Sequence, residues 1–158
     1  MHLIVGLPGA GKTTLARRLE LELPALRLTP DEWIGPLYGG GLTQSELDAT
    51  RDPVESVQWA VAARSLSLGL SAILDFGFWS RAERESFRDR AAALGARSRV
   101  HALVVPKEEL WARLDRRNAD LQPHTFHISR EQLEAWWALF EQPDDEELRE
   151  RPAPAEPK

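Results

Sequence analysis

Three short stretches carry side chains whose types and spacing could do chemistry. The first runs Gly6-Leu7-Pro8-Gly9-Ala10-Gly11-Lys12-Thr13-Thr14 and fits the pattern G-x-x-x-x-G-K-[ST]. Glycines at this spacing let backbone N–H groups turn inward around phosphate oxygens. A helix beginning at the lysine adds the positive end of its dipole. Gly6, Gly9, Ala10, Gly11, Lys12, Thr13 and Thr14 are therefore the expected nucleotide-binding set. Lys12 would reach the β- and γ-phosphates, and the Thr13 hydroxyl would bind Mg²⁺. A plain Gly-rich turn between a strand and a helix would use the same letters. Lysine, hydroxyl, spacing and flanking elements together favour the phosphate-binding reading.

The second stretch, Leu28-Thr29-Pro30-Asp31-Glu32-Trp33, follows a strand candidate. A carboxylate at Asp31 could orient an acceptor hydroxyl and take its proton during phosphoryl transfer. Thr29 to Glu32 also spells a capping box, which would make Asp31 a helix-start residue; the two readings are compatible. The third stretch is Ala72-Ile73-Leu74-Asp75-Phe76-Gly77. An apolar strand ending in Asp75 is the arrangement whose carboxylate joins the Mg²⁺ shell, and contact with substrate is the other role such a strand end can take. The triplet Asp75-Phe76-Gly77 is also the DFG of protein kinases, but the V-A-I-K, H-R-D and A-P-E segments that accompany it there are absent.

Weaker candidates surround these. Trp33 and Trp79 follow the two strand ends and could wall an apolar or ring-shaped acceptor, although tryptophans more often pack a core. Arg81 could bind an anionic group of the acceptor or sit on the surface of a first helical turn. Arg113, Arg116 and Arg117 fall at i, i+3 and i+4, on one face of a helix. They could neutralise charge on a transferring phosphoryl group, or pair with Glu108, Glu109 and Asp115 on a solvated face. His124 and His127 form H-x-x-H without a third ligand, so a zinc site is not expected.

Elements to position these residues alternate along the chain. "HLIV", "ALRL", "SAILD" and "RVHALVV" read as apolar strands, with helical spacing between them. Residues 35–51, rich in glycine, read as an irregular excursion with one weak helix; the next helix is expected to open after Asp52-Pro53, from about Val54 to Leu68. Alternation of this kind implies an α/β three-layer sandwich with a mostly parallel sheet of four or five strands. Its ligand site would lie at the carboxyl ends of the strands. The expected organisation is one domain over 1–141, with a helical lid at about 107–128. A Pro/Glu-rich tail, 142–158, is expected to be disordered.

Composition limits the partners. Net charge is −5 and the only lysines are Lys12, Lys107 and Lys158, which disfavours a general nucleic-acid binder. The absence of cysteine excludes disulfides and thiol chemistry. No stretch has the make-up of a signal peptide or membrane span, so a cytoplasmic location is the expectation. The sequence does not indicate an oligomeric state.

Taken together, "GLPGAGKTTLARRL", "LTPDEW" and "ILDFGFWSR" resemble the AAA-type ATP-binding kinases related to zeta toxins, chloramphenicol phosphotransferase and the kinase domain of phage polynucleotide kinase. The resemblance runs from about Met1 to Phe140. It implies a P-loop kinase using ATP and Mg²⁺, with Asp31 as general base and an arginine-bearing lid. Unlike polynucleotide kinase, this chain has no arginine within a turn of Asp31. The expected function is transfer of the ATP γ-phosphate to a hydroxyl of a small molecule. The alternatives are a 5′-hydroxyl polynucleotide or nucleoside kinase, and a P-loop ATPase or ATP-binding regulator.

Overall fold

A computed structural model of the chain describes residues 1–39, 42–120 and 126–154. The elements are β1 (His2–Val5), α1 (Lys12–Glu22), β2 (Ala25–Leu28), α2 (Pro30–Tyr38), α3 (Gln44–Ser67), β3 (Ser71–Gly77), α4 (Arg81–Ala93), β4 (Arg99–Ala102), α5 (Lys107–Ala119) and α6 (Arg130–Leu139). The strands form one all-parallel sheet in the order β2-β3-β1-β4. Among the described residues the sheet has four strands, and no fifth strand joins them.

Burial explains why such short strands hold. Successive side chains of a strand face opposite sides of the sheet. Leu3, Val5, Ala72, Leu74 and Phe76 accordingly face a core completed by Ala62 and Leu66 of α3 and Ala91 of α4. Ile4 and Ile73 face the other side, against Ala16 and Leu19 of α1. A third cluster joins Leu7 and Ala10 of the phosphate loop to Leu110 and Leu114 of α5, with Ile128 and Leu133. Each fully buried aliphatic side chain contributes about 1.5–3 kcal/mol, so the loop is held to α5 by packing as well as by its own turns.

Two expectations differ from the structure. Helix α3 begins at Gln44, not near Val54, and runs through Pro53. The Thr43 hydroxyl accepts the Glu46 N–H, while the Glu46 carboxylate accepts the Thr43 N–H at 2.8 Å. This capping box starts the helix ten residues earlier than the proline suggested. The second difference is the tail. Residues 142–154, expected to be disordered, lie along α4. Glu147 is buried and bonds Arg84 at 2.7 and 3.0 Å. Arg88 donates to the carbonyls of Glu147 and Arg149, each at 3.0 Å. Arg151 forms an antiparallel bridge with Ser98, beside the start of β4. The composition suggested solvent; the buried arginines of α4 instead supply the partners that the strap needs.

Candidate functional site

The phosphate loop links β1 to α1, and its backbone explains its glycines. Gly6, at φ 151°, donates to the Gly77 carbonyl at 3.0 Å. A Cβ on Gly6 would stand 2.8 Å from the Leu103 carbonyl, so a side chain has no room. Gly11, the N-cap of α1, is left-handed at φ 97°. Ala10 donates to the Leu7 carbonyl at 3.1 Å, and Lys12 Nζ donates to the same carbonyl at 3.2 Å. Thr14 stands exposed on the first turn of α1.

Burial pushes the Lys12 ammonium below its ordinary range, while the carboxylates of Asp75 and Asp31 act in the opposite sense. Asp75 is 4% exposed and lies two residues before the end of β3, which runs on to Gly77 and not only to Asp75 as the sequence suggests. Its Oδ2 accepts the Thr13 hydroxyl at 2.8 Å and the Thr29 hydroxyl at 3.3 Å. Its Oδ1 is buried with no hydrogen-bond partner among the described residues. Burial raises the Asp75 carboxyl, opposed by Lys12 and by the Thr13 bond. An ionisable oxygen left free beside a hydroxyl is a hard-donor set of the kind Mg²⁺ takes. Thr13 and Asp75 therefore fit that ion.

Asp31 begins α2 just beyond β2. Thr29 is its N-cap but makes no side-chain cap bond. Its hydroxyl is turned to Asp75, and Glu32, expected to close a capping box, pairs instead with Arg17 and Arg27, each at 3.0 Å. Asp31 Oδ1 accepts Arg51 Nη2 at 2.6 Å, and Arg51 Nη1 holds Glu55 at 3.2 Å. An arginine thus stands beside Asp31 after all, delivered from α3. The glycine-rich stretch 35–51 gives only a weak helical signal of its own, which masks the i, i+4 spacing of Arg51 and Glu55 on α3.

The arginines of α5 divide. Arg113 lies on the phosphate loop, its Nη1 donating to the carbonyls of Gly9 and Ala10 at 3.3 and 3.4 Å. Arg117 donates to the Phe126 carbonyl at 3.1 Å, and its Nε is buried without a partner among the described residues. Burial lowers the Arg117 guanidinium, with Asp31 acting against that. Arg116 is exposed and turns back to the Ala112 carbonyl at 3.0 Å. Of the three, Arg113 and Arg117 reach the site.

Other expected site residues go elsewhere. Arg81 pairs with Asp144 at 2.7 Å and with Glu146, so the strap claims it. Trp79 packs on Trp136 at 5.4 Å between ring centres, within the α5–α6 cluster. Trp33 lines a cavity of about 520 Å³ between α2 and α3 with Pro36, Leu37, Tyr38, Pro53 and Val54. Asp31 and Arg51 are not on its wall. Of the H-x-x-H pair, His124 lies outside the described residues.

The turn after Asp75 is unusual. Gly77 sits at φ 102° and Phe78 at φ 47°, a left-handed conformation rare for a bulky residue. Phe78 is buried, stacked on Phe76 and edge-on to Phe87. Arg84 Nη1 donates to the carbonyls of Phe78, Trp79 and Glu141. A buried arginine therefore holds the turn that carries the strand-end carboxylate, and Glu147 of the strap neutralises that arginine.

Sheet order and phosphate loop define an α/β fold of the P-loop NTPase kind. The AAA domain family (AAA_33) matches residues 1–143, and the chain belongs to that family. No curated protein sequence matches the chain. Among solved structures, the Pnkp1/Rnl/Hen1 RNA repair complex contains a chain 22% identical with a TM-score of 0.71, matched over 87% of this chain and 42% of that one. The present chain thus spans less than half of that relative's length. Kti12 of Chaetomium thermophilum, solved with ADP-AlF3, is 17% identical with a TM-score of 0.64, over 90% of this chain and 81% of that one. A gluconokinase from Sinorhizobium meliloti 1021 is 18% identical with a TM-score of 0.57, over 93% and 78%. At these identities the likeness is one of fold. No helix among the described residues is long and apolar enough to cross a membrane.

Proposed function

We propose that the protein is a P-loop kinase that moves the γ-phosphate of ATP to a hydroxyl of a small-molecule acceptor. The observation that carries this reading is the placement of Asp31. Its carboxylate lies within electrostatic reach of Lys12, Asp75 and Arg117, while Arg51 holds it in place. A carboxylate so placed can orient an acceptor hydroxyl and accept its proton. In an ATPase or nucleotide switch, the corresponding need is a positioned water and usually an arginine from a partner; here Arg113 and Arg117 come from the chain itself.

Each residue then has a physical task. The loop amides and Lys12 hold phosphate oxygens. Thr13 and Asp75 hold Mg²⁺, which when bound neutralises phosphate charge. Arg117, with a buried N–H still free, is placed to meet the charge that develops in transfer, while Arg113 braces the loop through the Gly9 and Ala10 carbonyls and pairs with Glu109 at 2.6 Å. Helix α5, packed on Leu7 and Ala10, would form one wall of a lid whose closure keeps water from competing as acceptor. The net charge of −5 argues against a polynucleotide acceptor.

The test is transfer of labelled γ-phosphate from ATP with Mg²⁺ across hydroxylated antibiotics, sugars, nucleosides and 5′-hydroxyl oligonucleotides, comparing wild type with Asp31→Ala. Transfer lost in the mutant while ATP still binds is the expected result. Brisk ATP hydrolysis without any acceptor, unchanged by the mutation, would replace the kinase with an ATPase.

A further inference from the structure

The turn over Gly77, Phe78 and Trp79 joins two regions that lie far apart in the sequence. On one side it touches the phosphate loop. The Gly77 carbonyl accepts the Gly6 N–H at 3.0 Å, and a Cβ on Gly77 would stand 3.2 Å from Trp79 Nε1 and 3.7 Å from the Gly6 carbonyl oxygen. Asp75, two residues before Gly77, holds the Thr13 hydroxyl at 2.8 Å. On the other side the turn touches the C-terminal strap. The Trp79 carbonyl accepts the Glu141 N–H at 2.9 Å. Arg84 Nη1 donates to the carbonyls of Phe78, Trp79 and Glu141 at 3.2, 3.3 and 2.9 Å.

Phe78 is the strained link, and among the described residues no other non-glycine residue has a positive φ. A bulky side chain persists in that region only where its surroundings over-determine it. Arg84 does much of that work, and its own position is conditional. Its guanidinium is fully buried, and Glu147, also buried, accepts from it with both carboxylate oxygens, at 2.7 and 3.0 Å. A cation stays buried at such a place only while its counter-charge stays with it. With the strap lifted, Arg84 would turn out to water and release the Phe78 and Trp79 carbonyls. Phe78 would then be free to leave the left-handed region, and the Gly77 carbonyl would no longer be aimed at Gly6.

We propose that this turn is a two-state element biased from both sides, and that Arg84 and Glu147 are positioning residues of the nucleotide site. Docking of the strap and binding of a magnesium-bound nucleotide then strengthen one another through the turn, as coupling through a shared two-state element requires. Neither residue touches the ligand. The proposal rests on the phosphate loop binding a nucleotide, and on neither the acceptor nor the transfer step. It makes the strap a control point: whatever draws Glu147 off Arg84 lowers nucleotide affinity.

The test uses the full chain, with Mg-ADP as the probe, at a temperature where every variant is folded. Glu147→Gln removes the counter-charge and keeps the size of the side chain. It should weaken Mg-ADP binding about tenfold, within the usual range of coupling between sites, and Glu147→Asp should recover part of that loss. Leu66→Ala is the stability control. Leu66 is buried near the end of α3, shortly before β3 begins, and so lies at the opposite end of the parallel strands from the phosphate loop. This variant should melt lower than wild type yet bind Mg-ADP as wild type does.

Linkage demands the reverse effect as well. The amides of Leu148, Arg149 and Arg151 donate to the carbonyls of Asp144, Glu146 and Ser98. Their hydrogen exchange should slow about tenfold when Mg-ADP is bound, the same factor seen from the other side. The proposal is overturned if Glu147→Gln binds as tightly as wild type, if Leu66→Ala binds as weakly as Glu147→Gln, or if Mg-ADP leaves exchange in the strap unchanged. Wild type that binds no Mg-ADP would overturn the nucleotide reading and this inference with it. Wild type that binds, with Glu147→Gln matching it, would overturn this inference alone.

Discussion

Two buried ionic groups flank the turn at Phe78, and they are treated in opposite ways. Arg84, 0% exposed, spends its donors on Glu147 and on the carbonyls of Phe78, Trp79 and Glu141. Asp75, 4% exposed, keeps Oδ1 without a partner among the described residues. Burial of a charge is costly unless it is paired and hydrogen-bonded. The arginine meets that condition entirely within the chain and so works as structure. The carboxylate meets it by half and is suited to a ligand. Satisfaction, more than residue type or burial, separates the clasp from the site.

Mutations can break or sharpen that contrast. The largest effect is expected at Asp31, where Asp31→Ala should lower phosphate transfer by about 10²–10⁴-fold, the range for a positioned acid–base group. ATP affinity and melting temperature should stay close to wild type. Next is the clasp. Glu147→Ala leaves Arg84 buried and uncompensated, a loss of about 3–5 kcal/mol. Thermal unfolding should show a drop on the order of 10 °C.

Asp75→Asn is the counterpart at the unsatisfied group. It removes a buried charge while keeping an acceptor for the Thr13 and Thr29 hydroxyls. Melting temperature should hold or rise, while Mg²⁺-dependent transfer is lost. A destabilised Asp75→Asn protein would erase the distinction between the two groups.

The smallest effect is at Glu55 and depends on pH. Burial raises its carboxyl from an ordinary 4.5 to about 7. Between those values the folded chain holds a proton that the unfolded chain has released, so this group's contribution to stability falls as pH rises through the window. The span corresponds to about 3 kcal/mol for a side chain this well buried. Glu55→Gln should therefore melt about 6–12 °C higher than wild type at about pH 8 and match it below about pH 4.5. Equal melting curves at both pH values would show that Glu55 is solvated.

The nucleotide end was legible because its chemistry is local. Gly6 to Thr13 is one contiguous stretch, and the Asp75 strand end is marked by an apolar run. The partners of those residues were not legible. Arg51 meets Asp31 across twenty positions, and Glu147 meets Arg84 across sixty-three. Neither pairing leaves a periodic trace, because one salt bridge needs only one residue on each side. The Pro/Glu-rich tail misled for a related reason. Composition reports what a segment would do in water, whereas Arg84 and Arg88 offered it a buried anchor. Pro53 misled through a local rule, since a strong cap at Thr43 had already started the helix.

The strand order carries a consequence for synthesis. Strand β1, which leads into the phosphate loop, pairs with β3 and β4 but not with β2. Its apolar residues therefore leave the ribosome well before either neighbour exists. Chain growth at about 5–20 residues per second puts roughly 5–20 s between the appearance of Val5 and that of Ala102. Until Ser71–Gly77 has been made, Leu3, Ile4 and Val5 have no strand to join. Chaperone engagement with β1 should therefore be greatest on nascent chains that end before β3.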